Sequence, residues 1–184
     1  RNTMNNLYIT LSRLKTLLDS WDNSRKLIRL TEGNALAIAP GVCDYADFMT
    51  FARHKAVLSE KNIAEAAQML ELCRGPYLEM ETFEWAAEST REAEDEYERI
   101  ALGLAGYYVL KERIADAENI LLGLLERNPL SDDGYSSLLD LYIRTSNREA
   151  YLFRYEEYAR MLKKELRIKP LKLYSGHYAA LKRC

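Results

Sequence analysis

The sequence predicts a mostly α-helical protein in which stacked helix pairs follow a small helix-and-hairpin piece. Three observations predict it. Beyond Pro40, apolar residues recur every three or four positions, the period of one helix face, and no stretch alternates as a strand would. The pair Leu104 and Tyr108 reappears about 34 residues later as Leu138 and Tyr142, and Leu121 and Leu124 reappear as Tyr155 and Tyr158. Before Pro40, a leucine stripe leads into two short apolar runs flanking Glu32-Gly33-Asn34, a turn signal.

Taken in order, Met4, Leu7, Leu11, Leu14 and Leu18 form one stripe of a helix that Asp19-Ser20-Trp21-Asp22-Asn23 is expected to end. Lys26 to Thr31 and Ala35 to Ala39 read as the two strands of a hairpin, and Pro40-Gly41 as a boundary. A helix followed by a basic hairpin is what the C-terminal half of a winged helix looks like. Tyr45 to Ser59 and Asn62 to Arg74 read as a helix pair, with Phe48, Phe51 and Ala52 facing Ala66, Ala67 and Leu70. Gly75-Pro76 ends the second helix, because proline lacks the amide donor and clashes with the preceding turn. A long helix is expected from Phe83 to Lys111, with Thr90, Ala93, Tyr97, Ile100, Leu104 and Tyr108 inward. Ile114 to Arg127 is its partner, stopped by Asn128-Pro129. Ser131 is placed to cap a helix through Ile143. Further helices span Arg148 to Leu166 and Leu171 to Leu181. The fold class is therefore a tetratricopeptide-like helical array preceded by a partial winged helix. In such arrays each pair buries its apolar face only against its neighbours, which suits protein binding better than catalysis.

With 184 residues, 48% hydrophobic and 29% charged, the chain can bury one substantial core with a small appendage. No apolar run approaches the roughly 20 residues that span a bilayer, and the N-terminus lacks the apolar core of a signal peptide. Opening on Arg1 without a Met, the sequence reads as part of a longer protein. Cys43, Cys73 and Cys184 are odd in number and lack metal-ligand spacing, so free thiols in a reducing cytoplasm are expected. Residues 1–40 carry six bases and three acids, whereas the remainder carries 20 bases and 25 acids. A basic end on an acidic body suits a nucleic-acid element joined to a protein-binding one.

Asp47-Phe48, Arg74-Gly75-Pro76, Trp85, Asn128-Pro129-Leu130, Tyr142, Arg148 and Glu165-Leu166 through Pro170 resemble, in order and spacing, the bacterial transcriptional activator domain. That domain follows an OmpR-type winged helix in the SARP family of regulators and in some response regulators. The resemblance implies an activator domain over residues 42–184 and the recognition helix and wing of a winged helix over residues 1–40. It also implies that the first helices and strands of the winged helix, and in some relatives a phosphoacceptor receiver serving a phosphorelay, lie upstream. Partners implied are promoter DNA, and RNA polymerase or a second copy on the array; no cofactor, membrane or metal is implied. The chain departs from the family pattern at Cys73 (usually aromatic), at Ser146 and Arg167 (commonly glycine) and at Leu36 (often tyrosine). The alternative is a binding module with no nucleic-acid role, in which residues 1–40 cap the array.

At 100° per residue, the face opposite the leucines carries Asn2, Asn5, Asn6, Ile9, Ser12, Arg13 and Thr16. A major-groove helix uses amides for adenine, arginine for guanine and an apolar contact for the thymine methyl. Asn5, Asn6, Ile9 and Arg13 supply that set. Ser12, Lys15, Thr16 and Lys26 suit phosphates, with Arg29 (or Arg25) on the wing. The plainer reading of this face is a solvated helix surface. Nine acids against Arg91 between Glu79 and Glu98 make Glu92, Glu94 and Glu96 candidates for a basic protein partner, against the plainer reading of a solvated outer face. Tyr107, Tyr142 and Tyr155, with Tyr108, Tyr151 and Tyr158, either line a binding groove or pack between repeats, and their helical spacing favours packing. His54 and His177 are isolated, His54 reading as a half-buried helix residue. Catalytic and metal-binding signatures are missing from the sequence, which argues against an enzyme.

Overall fold

The structure, a computed structural model of the chain, describes residues 2–22, 28–30, 36–39, 41, 43–54, 57–75 and 83–183. Two compact units divide it, Arg1–Asp47 and Phe48–Cys184.

In the first unit, α1 spans Asn2–Asp22 and so runs through the residues expected to break it. The hydroxyl of Thr16 donates to the Ser12 carbonyl at 3.0 Å and that of Ser20 to the Leu17 carbonyl at 2.6 Å. Bonding back onto the preceding turn lets such residues stay inside a helix. Strands β1, Ile28–Leu30, and β2, Leu36–Ile38, pair antiparallel in the register Ile28–Ile38, Arg29–Ala37, Leu30–Leu36. The expected turn at Glu32-Gly33-Asn34 lies outside the described residues. Gly41 adopts φ 81°, and its amide donates to Asp47 Oδ2 at 2.8 Å across the first turn of the next helix. Only glycine reaches that conformation without steric cost.

That helix, α2, is Asp44–His54 and ends five residues earlier than expected. Val57 to Ser59 leave helical geometry because Asn62 supplies a competing turn. Its Oδ1 accepts from the Ser59 amide at 2.7 Å and its Nδ2 donates to the Val57 carbonyl at 3.0 Å. Asn62 then leads into α3, Ile63–Leu72. A 3₁₀ turn, Glu84–Ala86, opens α4, Ala87–Leu110. The backbone of α3 lies close along α4. Phe48, Phe51 and Ala52 of α2 and Ala66 and Leu70 of α3 are all buried, and side-chain bonds of Arg53 to Glu92 and of Arg99 to the Ala52 carbonyl fasten α2 to α4.

From there each helix packs on the next: α5 (Ile114–Arg127), α6 (Asp132–Arg144), α7 (Arg148–Met161) with a π turn over Leu162–Leu166, and α8 (Lys172–Arg183). The repeat holds at the level of packing. Leu104, Tyr108, Leu121 and Leu124 and their counterparts Leu138, Tyr142, Tyr155 and Tyr158 are all buried, none more than 8% exposed. Ser131 caps α6 as expected: its hydroxyl accepts the Gly134 amide at 2.8 Å while donating to Glu98 at 2.5 Å. A Cβ on Gly134 would sit 2.7 Å from that hydroxyl, so the cap requires glycine there. Cys43 and Cys73 are free thiols.

Ser146 and Arg167, where the resemblance implies glycine, take φ 53° and 58°. Both sit just past helix ends, where a left-handed residue closes the last turn and a side chain costs free energy. Ser146→Gly is expected to raise stability by about 0.5–1 kcal/mol, read as a higher urea midpoint at unchanged slope. An unchanged or lower midpoint contradicts this account of the turn.

Candidate functional site

The acidic stretch at the start of α4 is built into the fold more than it is free of it. Arg127, the last residue of α5, donates through Nε and Nη2 to both oxygens of Glu94, at 2.7 and 2.8 Å. Its Nη1 donates to the Cys73 carbonyl at 2.9 Å, and its guanidinium lies over the Tyr97 ring at 4.2 Å. One side chain thus ties the ends of α3 and α5 to α4. Glu98 accepts from Asn128 Nδ2 at 3.0 Å and from Ser131, joining the α5–α6 corner to the same helix. Glu92 pairs with Arg53 of α2 at 2.9 Å. Glu96 pairs with Arg99 at 2.6 Å, and Arg99 also donates to the Ala52 carbonyl at 3.0 Å. Of the candidate acids, Glu94 is committed to packing, and Glu92 and Glu96 already hold arginines of this chain. Glu84, Glu88 and Asp95 are exposed without ion pairs among the described residues. Arg127 and Arg53 lie more than thirty positions from their acids, and no local pattern announces such a pairing.

The tyrosines divide. Tyr142 and Tyr155 are buried, which leaves them little surface to offer a partner, while Tyr107 stays half-buried with Lys111 over its ring at 5.6 Å. Tyr142 donates to Glu118 at 2.7 Å, Tyr158 to Asp132 at 2.5 Å, and Tyr151 to the Tyr174 carbonyl at 2.8 Å. Tyr155 stacks on Tyr178 at 4.3 Å, and Tyr135 stacks on Tyr158 at 5.2 Å. A phenol buries a large apolar ring while its hydroxyl still finds a partner, which suits a helix interface crossed by carboxylates. Burial, reinforced by the Glu118 and Asp132 carboxylates, raises the Tyr142 and Tyr158 phenols well above their ordinary value. Burial and the neighbouring Tyr155 and Tyr174 do the same to Tyr151. His54 is exposed, not half-buried, with Nδ1 2.8 Å from the Thr50 carbonyl, and His177 packs edge-on against Tyr151 at 4.8 Å. Between α4 and α6 a cleft of about 280 Å³ is lined by Leu102, Gly106, Val109, Ser137, Asp140 and Arg144.

On α1, Ile9, Ser12, Arg13 and Thr16 share one exposed face. The opposite stripe is open as well: Leu7 is 47% exposed and Leu14 36%, beside 50% for Ile9. The expected inward burial of the leucines is not realised at these positions. The side chains of Asn5, Asn6 and Lys15, and Lys26 entirely, lie outside the described residues; Arg29 is placed by its backbone alone, opposite Ala37 on β1.

The helical array is also what a family model describes. Residues 43–180, about three-quarters of the chain, match the bacterial transcriptional activator domain. The chain belongs to that family. No curated protein and no solved structure gives a significant match. The bacterial transcriptional activator domain belongs to transcription regulation and is not an enzyme family. Its match runs from the start of α2 into α8 but does not include α1 or the hairpin. Among the described residues no helix is long and apolar enough to cross a membrane, and no group of side chains is arranged to hold a metal.

Two predictions follow from the buried polar groups of this activator domain. Arg127→Ala leaves Glu94 half-buried and unpaired and the Cys73 carbonyl without its donor, so a loss of about 3 kcal/mol is expected in urea unfolding. Glu88→Lys, on the exposed face, is expected to change stability by less than about 0.5 kcal/mol. Near-equal effects of the two would contradict the assigned role of Arg127. The raised phenols set a pH dependence whose sign is fixed. Their contribution is complete below the unfolded value near 10 and is lost as pH rises beyond it, by up to about 1.4 kcal/mol per pH unit for each phenol. Tyr142→Phe should flatten that alkaline loss, measured as urea midpoint against pH from 8 upward; an unchanged slope contradicts the burial of this phenol in the native state.

Proposed function

We propose that this chain is the promoter-reading and protein-contacting part of a cytoplasmic bacterial transcription regulator. In this reading residues 1–40 are the recognition helix and wing of an OmpR-type winged helix, and the array over 42–184 contacts RNA polymerase or another copy of the regulator. The observation that carries it is the order of elements. A helix with an open polar face and a two-stranded hairpin stand immediately before an activator domain.

The roles divide by chemistry. Asn5, Asn6, Ile9 and Arg13 would meet base edges, as amide, apolar and guanidinium groups do in a major groove. Ser12, Lys15, Thr16, Lys26 and Arg29 would fix register on phosphates. The Thr16 hydroxyl, turned back on the Ser12 carbonyl, must rotate away to reach a phosphate. On the array, Glu92, Glu96 and Tyr107 carry more of the proposed contact, because Arg127 holds both oxygens of Glu94 and because Tyr142 and Tyr155 are buried.

In the natural regulator, Asn6→Ala and Arg13→Ala should each lower discrimination between promoter and unrelated DNA by about 1–3 kcal/mol, measured by gel shift. Lys26→Ala should weaken both DNAs alike and flatten the dependence on salt by about one ion. Unchanged promoter binding in all three would remove this face from the interface and leave a protein-binding module.

A further inference from the structure

The cleft of about 280 Å³ between α4 and α6 has two unlike walls. Ala105, Leu121 and Leu141, all buried, form an apolar floor, and half-buried Leu102 and Val109 continue it up the α4 side. The α6 side is polar. Ser137, Asp140 and Arg144 follow one another at three and four residues, so they stand in one column along the helix.

An aspartate four residues ahead of an arginine ordinarily closes an ion pair along a helix surface. Pairs at three-residue spacing do close elsewhere on the array: Arg99 with Glu96, Arg113 with Asp116 and Arg154 with Glu157. Asp140 and Arg144, the two charged residues of the cleft lining, pair neither with each other nor with another charge among the described residues. Asp140 stands instead near the Tyr174 phenol of α8. Gly106 lies on the α4 side of the cleft, where a Cβ would meet nothing within 4 Å. Packing therefore does not demand glycine there, and its presence leaves the space between the two walls open.

We propose that this cleft binds a small apolar α-amino acid, its ammonium on Asp140, its carboxylate on Arg144 and its side chain on the apolar floor. Opposite charges one helical turn apart match a ligand that carries both on a single carbon, whereas a simple anion or cation would use only one of them. A guanidinium also suits a carboxylate, which it can meet with two parallel donors. The volume lies just below the roughly 300–1,000 Å³ of sites for drug-sized ligands, which fits an amino acid better than a nucleotide. The site adds a small-molecule ligand to the array and does not depend on what α1 reads.

Calorimetric titration of the 184-residue chain with leucine tests it. Two comparison compounds each lack one charge: isopentylamine has no carboxylate, and 4-methylpentanoate has no ammonium. Leucine should saturate one site per chain, and each comparison compound should bind at least about tenfold more weakly. Arg144→Gln should weaken leucine by a similar factor and leave isopentylamine unchanged. Asp140→Asn should weaken leucine and leave 4-methylpentanoate unchanged. Gly106→Leu, which fills the cleft from a position with room for a side chain, should abolish binding at an unchanged or higher urea midpoint. No saturation by millimolar leucine, a comparison compound that binds as tightly as leucine, or leucine binding that survives Gly106→Leu would overturn the site. Promoter gel shifts with the natural regulator answer to the functional reading alone, so the two can fail separately.

Discussion

Arg127 is the constraint on which the front of the array depends. Three helices meet where its guanidinium lies, and each presents it with something different: a carboxylate, a carbonyl at a helix end and an aromatic face. A planar fork with five donors satisfies all three at once, and a lysine cannot. With the ion pair in place, α4 becomes the support for α2 and α3, receiving α3 along its length and α2 through Arg53 and Arg99. Remove the arginine and a half-buried carboxylate and carbonyl lose the donor that joins them, and the Tyr97 ring loses the cation over its face.

Beyond α4 the logic changes from ion pairs to phenols. The second repeat replaces leucines of the first by tyrosines, at Tyr155 and Tyr158, without opening the core. The Tyr158 hydroxyl donates to Asp132 and the Tyr155 ring stacks on Tyr178, so the array gains directional contacts that leucines would not make. The cost is a core that depends on its phenols staying protonated, harmless near neutral pH, where a phenol is protonated in any case, and burial extends that range upward.

How much of this was legible in the sequence follows from range. Local and periodic features read well. The 34-residue repeat picked out eight positions that are all buried, α5 starts and stops where its pattern does, and Ser131 caps α6. The departures at Ser146 and Arg167 coincide with left-handed backbone, so the glycine preference had a physical meaning. Features decided by competition read less well. α1 continues through Asp22 because hydroxyls bond back to its own carbonyls, and α2 stops at His54 because Asn62 offers a better turn. The acidic stretch reads less well for another reason: its partners Arg53 and Arg127 come from other helices, and an acid run looks the same whether paired or free. The leucine stripe of α1 marks an amphipathic helix correctly, but periodicity cannot say what will cover it, and Leu7 and Leu14 remain open.

The central claim is that the polar face of α1 reads DNA on behalf of an activator domain. A photo-crosslinking amino acid at Ile9, in the natural regulator bound to its promoter, tests this most directly. The account requires crosslinks to bases at one fixed position within the promoter, lost when that sequence is scrambled. Crosslinks to protein alone, with none to DNA, would contradict it.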